Sequence, residues 1–294
     1  MTGVLVLGAL HHDVVVDAPR LPRADETLRG SAVDYRFGGK GGNQALAAAR
    51  MGANVRMAGR VGADAAGDSL IATLDGSGID RQAVAIGTMP TGMSVAITLP
   101  DGNYGAVIVS GANLENDGQV AQSDGPEVVL IQNEIPAGAN RALASSLKNE
   151  DVLIWNAAPA LPMDDDLAAR TEVLVVNRIE AKDLTGIADP ELCARNLCGR
   201  IRGIVVVTLG GDGVVIATGD GVTRKLARAI EPVSAHGAGD LFVGALGARL
   251  AQGDALNEAV DFAQTAAALF VASKIAARHE VTCDRVEAVM SAKN

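Results

Sequence analysis

Five short runs, VLVL at 4–7, VVLI at 128–131, VLIW at 152–155, VLVV at 173–176 and IVVV at 204–207, constrain the fold of this chain more than any other feature. None of them alternates apolar with polar residues. Each therefore predicts a strand covered on both faces, the condition of a parallel sheet between layers of helices. Helical patterns lie between the runs: NQALAAARMG, closed by Gly52, and PELCARNLCGRIRG, opened by Pro190. Strands alternating with helices predict a doubly wound, mostly parallel α/β fold, and 294 residues suffice for one such domain over 1–294. Aromatic residues make up only 2% of the chain, so its core must be built from Val, Leu, Ile and Ala.

Two segments break this pattern. Residues 13–37 and 92–110 alternate apolar with polar residues, as in SVAITLPDGNYGAVIV, where Asp101-Gly102 reads as a hairpin turn. Period-two alternation belongs to a sheet with one face exposed. Both segments are read as parts of a small antiparallel lid over the strand ends, able to close over a substrate and exclude water. Its free face is the expected contact of a homodimer.

The totals exclude several classes of function. A formal charge of −10 gives no support to a nucleic-acid partner, which would require a basic face. No apolar run reaches the ~18–20 residues of a membrane span. The opening MTGVLVLGALHHDVVVD lacks a basic leader and reads as a strand. Cys193, Cys198 and Cys283 form neither an even disulfide set nor a metal-spaced cluster, which fits free thiols in a reducing cytoplasm.

Polar residues follow the apolar runs: Gln132-Asn133-Glu134, Asn156, Asn177 and Thr208. Ligands of open α/β sheets bind beyond the carboxyl ends of the strands, so these residues point to one shared site. A second signal is HGAGD, where Gly237, Ala238 and Gly239 precede Asp240 at the start of an apolar helical pattern. Small residues entering a helix let its free amides approach a phosphate closely. Asp240, beside that anion hole, is positioned to take the proton of a hydroxyl attacking phosphorus, the general-base role in phosphoryl transfer. The alternative is a glycine turn whose Asp caps a helix. A third signal is FGGKGGNQALAAARMG, where glycines flank Lys40 and Asn43 opens a helix, offering donors to a polyhydroxy ligand. Neither Walker-loop spacing nor the G-x-G-x-x-G of a dinucleotide fold is present.

The Lys40 and Asp240 segments resemble the two signatures of the ribokinase family of sugar kinases, also called the phosphofructokinase-B family. Further matches are GRVGADAAGDSL at 59–70, VVNRIEAKDLTG at 175–186 and VVVTLGGDGV ending at Val214, so the resemblance runs in order along nearly the whole chain. It implies an ATP-dependent kinase that transfers the γ-phosphoryl group to a primary hydroxyl of ribose or a related pentose. Asp240 would be the catalytic base, and the amides of Gly237, Ala238 and Gly239 would stabilise the transferred group. Asp13, Gly39, Lys40, Asn43 and Glu134 would hold the sugar, with His11 where these kinases carry Asn. Asn177 and Glu180 would position magnesium through water, and Asn177, Thr208, Gly210 and Gly213 would line the ATP site. Ser234-Ala235 replaces the Asp-Thr pair whose Asp helps bind a monovalent cation, and the later segment reads SKIAARHE, so potassium activation is not implied. Two other readings stay open: a nucleoside kinase of the same fold, pseudouridine included, and a non-catalytic sugar sensor. A nucleobase would want an aromatic platform, for which Tyr35, Phe37 and Tyr104 are the candidates.

Overall fold

The computed structural model describes residues 2–101 and 103–292, with Tyr104 described for its backbone alone. In chain order these form β1 (Gly3–Leu7), β2 (His11–Asp17), β3 (Ala32–Gly38), α1 (Lys40–Arg50), β4 (Val55–Val61), α2 (Ala65–Gly76), β5 (Asp80–Ile86), β6 (Gly92–Thr98) and β7 (Tyr104–Val109). The second half adds β8 (Glu127–Gln132), α3 (Ala137–Ser146), β9 (Val152–Asn156), α4 (Asp165–Arg170), β10 (Val173–Asn177), α5 (Arg178–Thr185) and α6 (Pro190–Cys198). It ends with β11 (Ile204–Thr208), β12 (Val214–Thr218), β13 (Gly221–Lys225), α7 (Ala238–Ala251), α8 (Leu256–Ala272) and α9 (Cys283–Ser291).

Nine strands form one sheet in the order β13-β12-β11-β10-β9-β8-β1-β4-β5. All pairings from β11 to β5 are parallel, and β12 and β13 extend one edge antiparallel. The five continuous runs occupy β1, β8, β9, β10 and β11. Side chains along them alternate between two cores: Val4 and Val6 of β1 pack with α1, α7 and α8, while Leu5 and Leu7 pack with α3 and α6. Covering both faces is what their unbroken apolar character requires. From β1 the chain builds outward through β4 and β5, then returns to place β8 on the other side of β1. Sheets of this topology bind ligands in a crevice at such a reversal, here beyond the ends of β1 and β8.

The second sheet has four strands in the order β3-β2-β6-β7. Its outer pairs are antiparallel, and its central pair, β2 with β6, runs parallel, with His11 opposite Gly92. This sheet is therefore mixed, because the chain completes α1, β4, α2 and β5 before β6 comes alongside β2. Of the expected Asp101-Gly102 turn, Gly102 lies outside the described residues, although β6 and β7 on either side pair antiparallel. Register gives this sheet two unlike faces. One carries His11, Asp13, Arg36 and Ser94; the other carries Val14, Val16, Val33, Tyr35, Val95, Val107 and Val109.

Candidate active site

Asp240 lies in the first turn of α7, partly reached by solvent, and α1 crosses directly beside it. The crossing is close because Gly244, one turn beyond Asp240, has no side chain: a Cβ there would stand 2.5 Å from both the Ala47 Cβ and the Gln44 carbonyl oxygen. The approach brings two amides from α1 to the carboxylate. Gln44 Nε2 donates to Oδ1 at 3.1 Å and Asn43 Nδ2 to Oδ2 at 3.3 Å. Gln44 is itself buried and braced by the strand ends. Its Nε2 also donates to Asn156 Oδ1 at 3.0 Å, and its Oε1 accepts from Gln132 Nε2 at 2.8 Å.

Gln44 and Gln132 thus give polar strand ends a shared purpose, the orientation of one carboxylate. Gln44 was not among the expected site residues. The available signal was a glutamine beside Asn43 in an otherwise apolar helix, facing an Asn and a Gln at strand ends; such buried amides need partners. Burial raises the pKa of Asp240 and Glu134 adds to the rise, while Lys40 and the amides of Gln44 and Asn43 oppose it.

The turn before Asp240 has the expected form, with one correction. Gly237 caps α7 in the left-handed region at φ 80°, and no side chain caps the helix. The amide of Ala238 is not free: it donates to the Ala235 carbonyl at 3.2 Å, closing the turn that reverses the chain into the helix. Among the described residues the amides of Gly237, Gly239 and Asp240 take no protein acceptor. Of the three amides expected to meet an anion, that of Ala238 is therefore engaged within the chain, and the free set is Gly237, Gly239 and Asp240.

Lys40 opens α1, and its amide donates to Glu134 Oε2 at 2.7 Å, linking α1 to the end of β8. Burial alone would lower the Lys40 pKa, but Asp240, Glu134 and Glu180 together raise it. Gly39 adopts φ 83° with its bare face against Ala9, where a Cβ would stand 2.4 Å from the carbonyl oxygen. Packing against the chain itself, rather than against a ligand, accounts for glycine there.

From the small sheet, His11 and Asp13 share one face. Asn113 holds the preceding residue through both backbone groups, accepting from Leu10 N at 2.9 Å and donating to Leu10 O at 2.8 Å. His11 is 3% exposed, and its Nε2 has no protein partner among the described residues; nor has the buried Asp13 Oδ1. Two such atoms on one face of the small sheet leave hydrogen-bonding capacity that a polar ligand or water would satisfy. Burial, aided by the Lys40 charge, lowers the His11 pKa to about 4, so the ring is neutral near pH 7. Burial and the charges of Glu134 and Asp240 push Asp13 up to about 6. His12 points to the opposite face, 5.5 Å from the Tyr35 ring, so the His-His-Asp run does not converge.

Asn177 and Thr208 lie side by side in register at the ends of β10 and β11. Thr208 Oγ1 is 3.4 Å from the Val176 carbonyl. Gly210 begins an exposed turn after β11, and Gly213 ends that turn against the Lys225 carbonyl. Asn177 and Glu180 form a capping box on α5: Asn177 Oδ1 accepts from the amides of Ile179 and Glu180, and Glu180 Oε2 accepts from Asn177 N at 2.8 Å. One Glu180 oxygen is spent on the helix and the other is available. Burial raises the Glu180 pKa despite the capping bond and Lys40, and Asp240 and Asp183 add to the rise. Glu180, Asp240 and Glu134 thus face the single charge of Lys40 with an excess of negative charge, while Asp13 has Arg36 beside it. A hard divalent cation bound through water beside Glu180 fits that deficit.

The whole arrangement, an oriented carboxylate beside free helix amides with unpartnered polar atoms opposite, suits the binding of a hydroxylated molecule and an anion side by side. Residues 1–282 match the model of the pfkB family carbohydrate kinases. A ribokinase of Bacillus subtilis is 32% identical over 99% of this chain and 100% of its own length. A ribokinase structure from Thermotoga maritima superimposes with a TM-score of 0.90 at 26% identity, covering 99% of this chain and 100% of that one. The Arabidopsis thaliana ribokinase complexed with ribose and ATP gives a TM-score of 0.88 at 26% identity over 98% of both chains. By the family model, the sequence relatives and the shared fold, the chain belongs to the pfkB family of carbohydrate kinases and is an ATP-dependent kinase.

Proposed function

We propose that the protein phosphorylates a primary hydroxyl of ribose or a closely related pentose, with Asp240 as general base. The observation carrying this reading is the convergence on one crevice of Asp240, the free amides of its helix and the unpartnered atoms of His11 and Asp13. In this scheme Asp13, neutral His11, Lys40, Asn43 and Glu134 bind the sugar hydroxyls. Asn43 and Gln44 hold the Asp240 carboxylate toward the attacking hydroxyl. Its raised pKa makes it a stronger base than an exposed aspartate, yet leaves it able to take the proton as the oxygen attacks phosphorus. The amides of Gly237, Gly239 and Asp240 then receive the charge of the transferred group, the role of a preorganised anion hole. Asn177, Thr208, Gly210 and Gly213 line the nucleotide side. Glu180, through its free carboxylate oxygen, would hold magnesium, which would neutralise phosphate charge; Asn177, whose Oδ1 is spent on the amides of Ile179 and Glu180, would offer its Nδ2 to the phosphates.

A free sugar is favoured over a nucleoside by the placement of the aromatic residues. Tyr35 is 63% exposed on the apolar face of the small sheet, away from Asp13, and Phe37 packs against the main core. Neither offers a base a stacking surface over the crevice; the Tyr104 side chain lies outside the described residues. The small sheet acts as the lid, polar face inward, and its apolar face pairs with a second copy of the chain.

ADP release with ribose, other pentoses and nucleosides, pseudouridine included, tests the assignment. Turnover with ribose or another pentose well above that with any nucleoside is expected. A preference for nucleosides would replace the substrate assignment, and sugar binding without ADP release would identify a sensor.

A further inference from the structure

Arg278 is a buried charge to which the scheme above gives no part. It lies in a short 3₁₀ helix, Ile275–Glu280, and is 9% exposed. Its guanidinium stacks 4.3 Å over the ring of Phe270. From that position Nη1 donates to the carbonyl of His236 at 2.8 Å and Nη2 to that of Ser234. The same stretch is tied from its other side, where the amides of Val233 and Ser234 donate to the Val271 carbonyl at 2.9 and 3.2 Å. Phe270 also supports the next residue along: a Cβ on Gly237 would stand 3.4 Å from its ring.

These contacts all grip the segment that leads into the free amides. Two carbonyls at alternate residues turn toward one cation, and the planar fork of arginine engages both at once, which a lysine ammonium does less well. Arg278 Nε finds no partner among the described residues, and burial together with the charge of Arg36 lowers its pKa, although a guanidinium stays protonated in proteins. A buried charge held so incompletely is a poor means of stabilising a fold, since apolar packing of similar volume does as well or better. Its contacts instead define the shape of the turn beside Asp240.

We propose that Arg278 is a positioning residue for the anion-binding turn, a cation built into the chain. By holding the carbonyls of Ser234 and His236 it aims the amides of Gly237, Gly239 and Asp240 at the transferred phosphoryl group. Turnover then needs no added monovalent cation to order this turn. The inference rests on the kinase assignment, and its test separates the two.

Wild-type protein and the variants Arg278→Ala and Arg278→Lys are compared for sugar affinity by calorimetry and for steady-state turnover. Assays use potassium, sodium or tetramethylammonium chloride at equal ionic strength. Wild-type kcat should be the same in all three salts. Arg278→Ala should keep its sugar affinity and lose kcat by roughly 10–100-fold, somewhat less than the ~10²–10³ lost with an anion-hole donor itself. Guanidinium ion at millimolar concentration should restore part of that loss, and Arg278→Lys should fall between the two. Arg278→Ala turnover within about twofold of wild type would overturn the inference. So would potassium-dependent wild-type turnover, or a loss of kcat in both variants that merely parallels lost sugar binding and folded protein. Absence of turnover in the wild type would instead remove the kinase assignment beneath it.

Discussion

The large sheet turns its apolar residues inward on both faces, whereas the small sheet presents its apolar face to solvent and its polar face toward the crevice. In β1, Val4 to Leu7 are each at most 2% exposed. In the small sheet Val33, Tyr35, Val107 and Val109 are each more than half exposed. The two sheets thus have separable tasks. The large one, with α1 and α7, fixes Asp240 and the amides beside it, where an error of a fraction of an ångström is costly. The small one carries the unpartnered atoms of His11 and Asp13 on one face and exposed apolar residues on the other, which the proposed function assigns to sugar and to a second copy. Damage to the first should appear in kcat, and damage to the second in KM or assembly.

Asp240→Asn should be the most severe change, cutting kcat by at least ~10²–10⁴ while leaving sugar affinity nearly intact. Calorimetry beside steady-state kinetics checks the split, and a matching loss of affinity would undo the separation of tasks. Gln44→Ala should follow. It strips one donor from Asp240 and leaves the buried Gln132 Nε2 and Asn156 Oδ1 without the partners they have in Gln44, costing about 1–3 kcal/mol in urea unfolding and roughly tenfold in kcat.

The small sheet should respond to pH through Asp13, whose carboxyl titrates at about 6. Above that value it is charged and, in the proposed role, would accept sugar hydroxyls; as pH falls through it, protonation would remove an acceptor. Sugar KM should rise about tenfold from roughly pH 7 to pH 5, and Asp13→Asn should flatten that rise. The smallest kinetic effect should come from Val107→Lys on the outward face, with dimers dissociating in light scattering and kcat little changed. A monomeric wild type would remove the assembly role from this sheet.

What the sequence alone made legible cuts across this division, because the strands without a clear pattern, β4 and β5, both lie in the large sheet. Continuous burial gave β1, β8, β9, β10 and β11 an unmistakable pattern. The strand VRMAGRV, β4, lacks that pattern, because Arg56 and Arg60 reach from it to Glu127 and Asp117 at 3.6 and 2.9 Å and break its apolar run. β5 escaped notice because it is an edge strand, exposed along most of its length. At the site, Asp240 and Lys40 announce themselves through the glycines around them. Gln44, Asn113 and Arg278 do not, since each acts on residues distant in sequence: Gln44 on Asp240, Asn113 on Leu10, and Arg278 on Ser234 and His236. Motifs mark where chemistry occurs, but the partners that aim it come from tertiary contacts with no local pattern. The engagement of the Ala238 amide by Ala235 likewise depends on how the turn closes, which the residue types leave undetermined.

If the Asp240 carboxylate removes the proton, its titration must appear in the pH dependence of kcat at saturating sugar and ATP. Wild-type turnover should fall with unit slope toward acid, with a midpoint above the ordinary aspartate range because burial raises this carboxyl. In Asp240→Asn the residual rate should be flat over the same interval. An acid limb that survives unchanged in that variant would assign the proton transfer to another group and contradict the account.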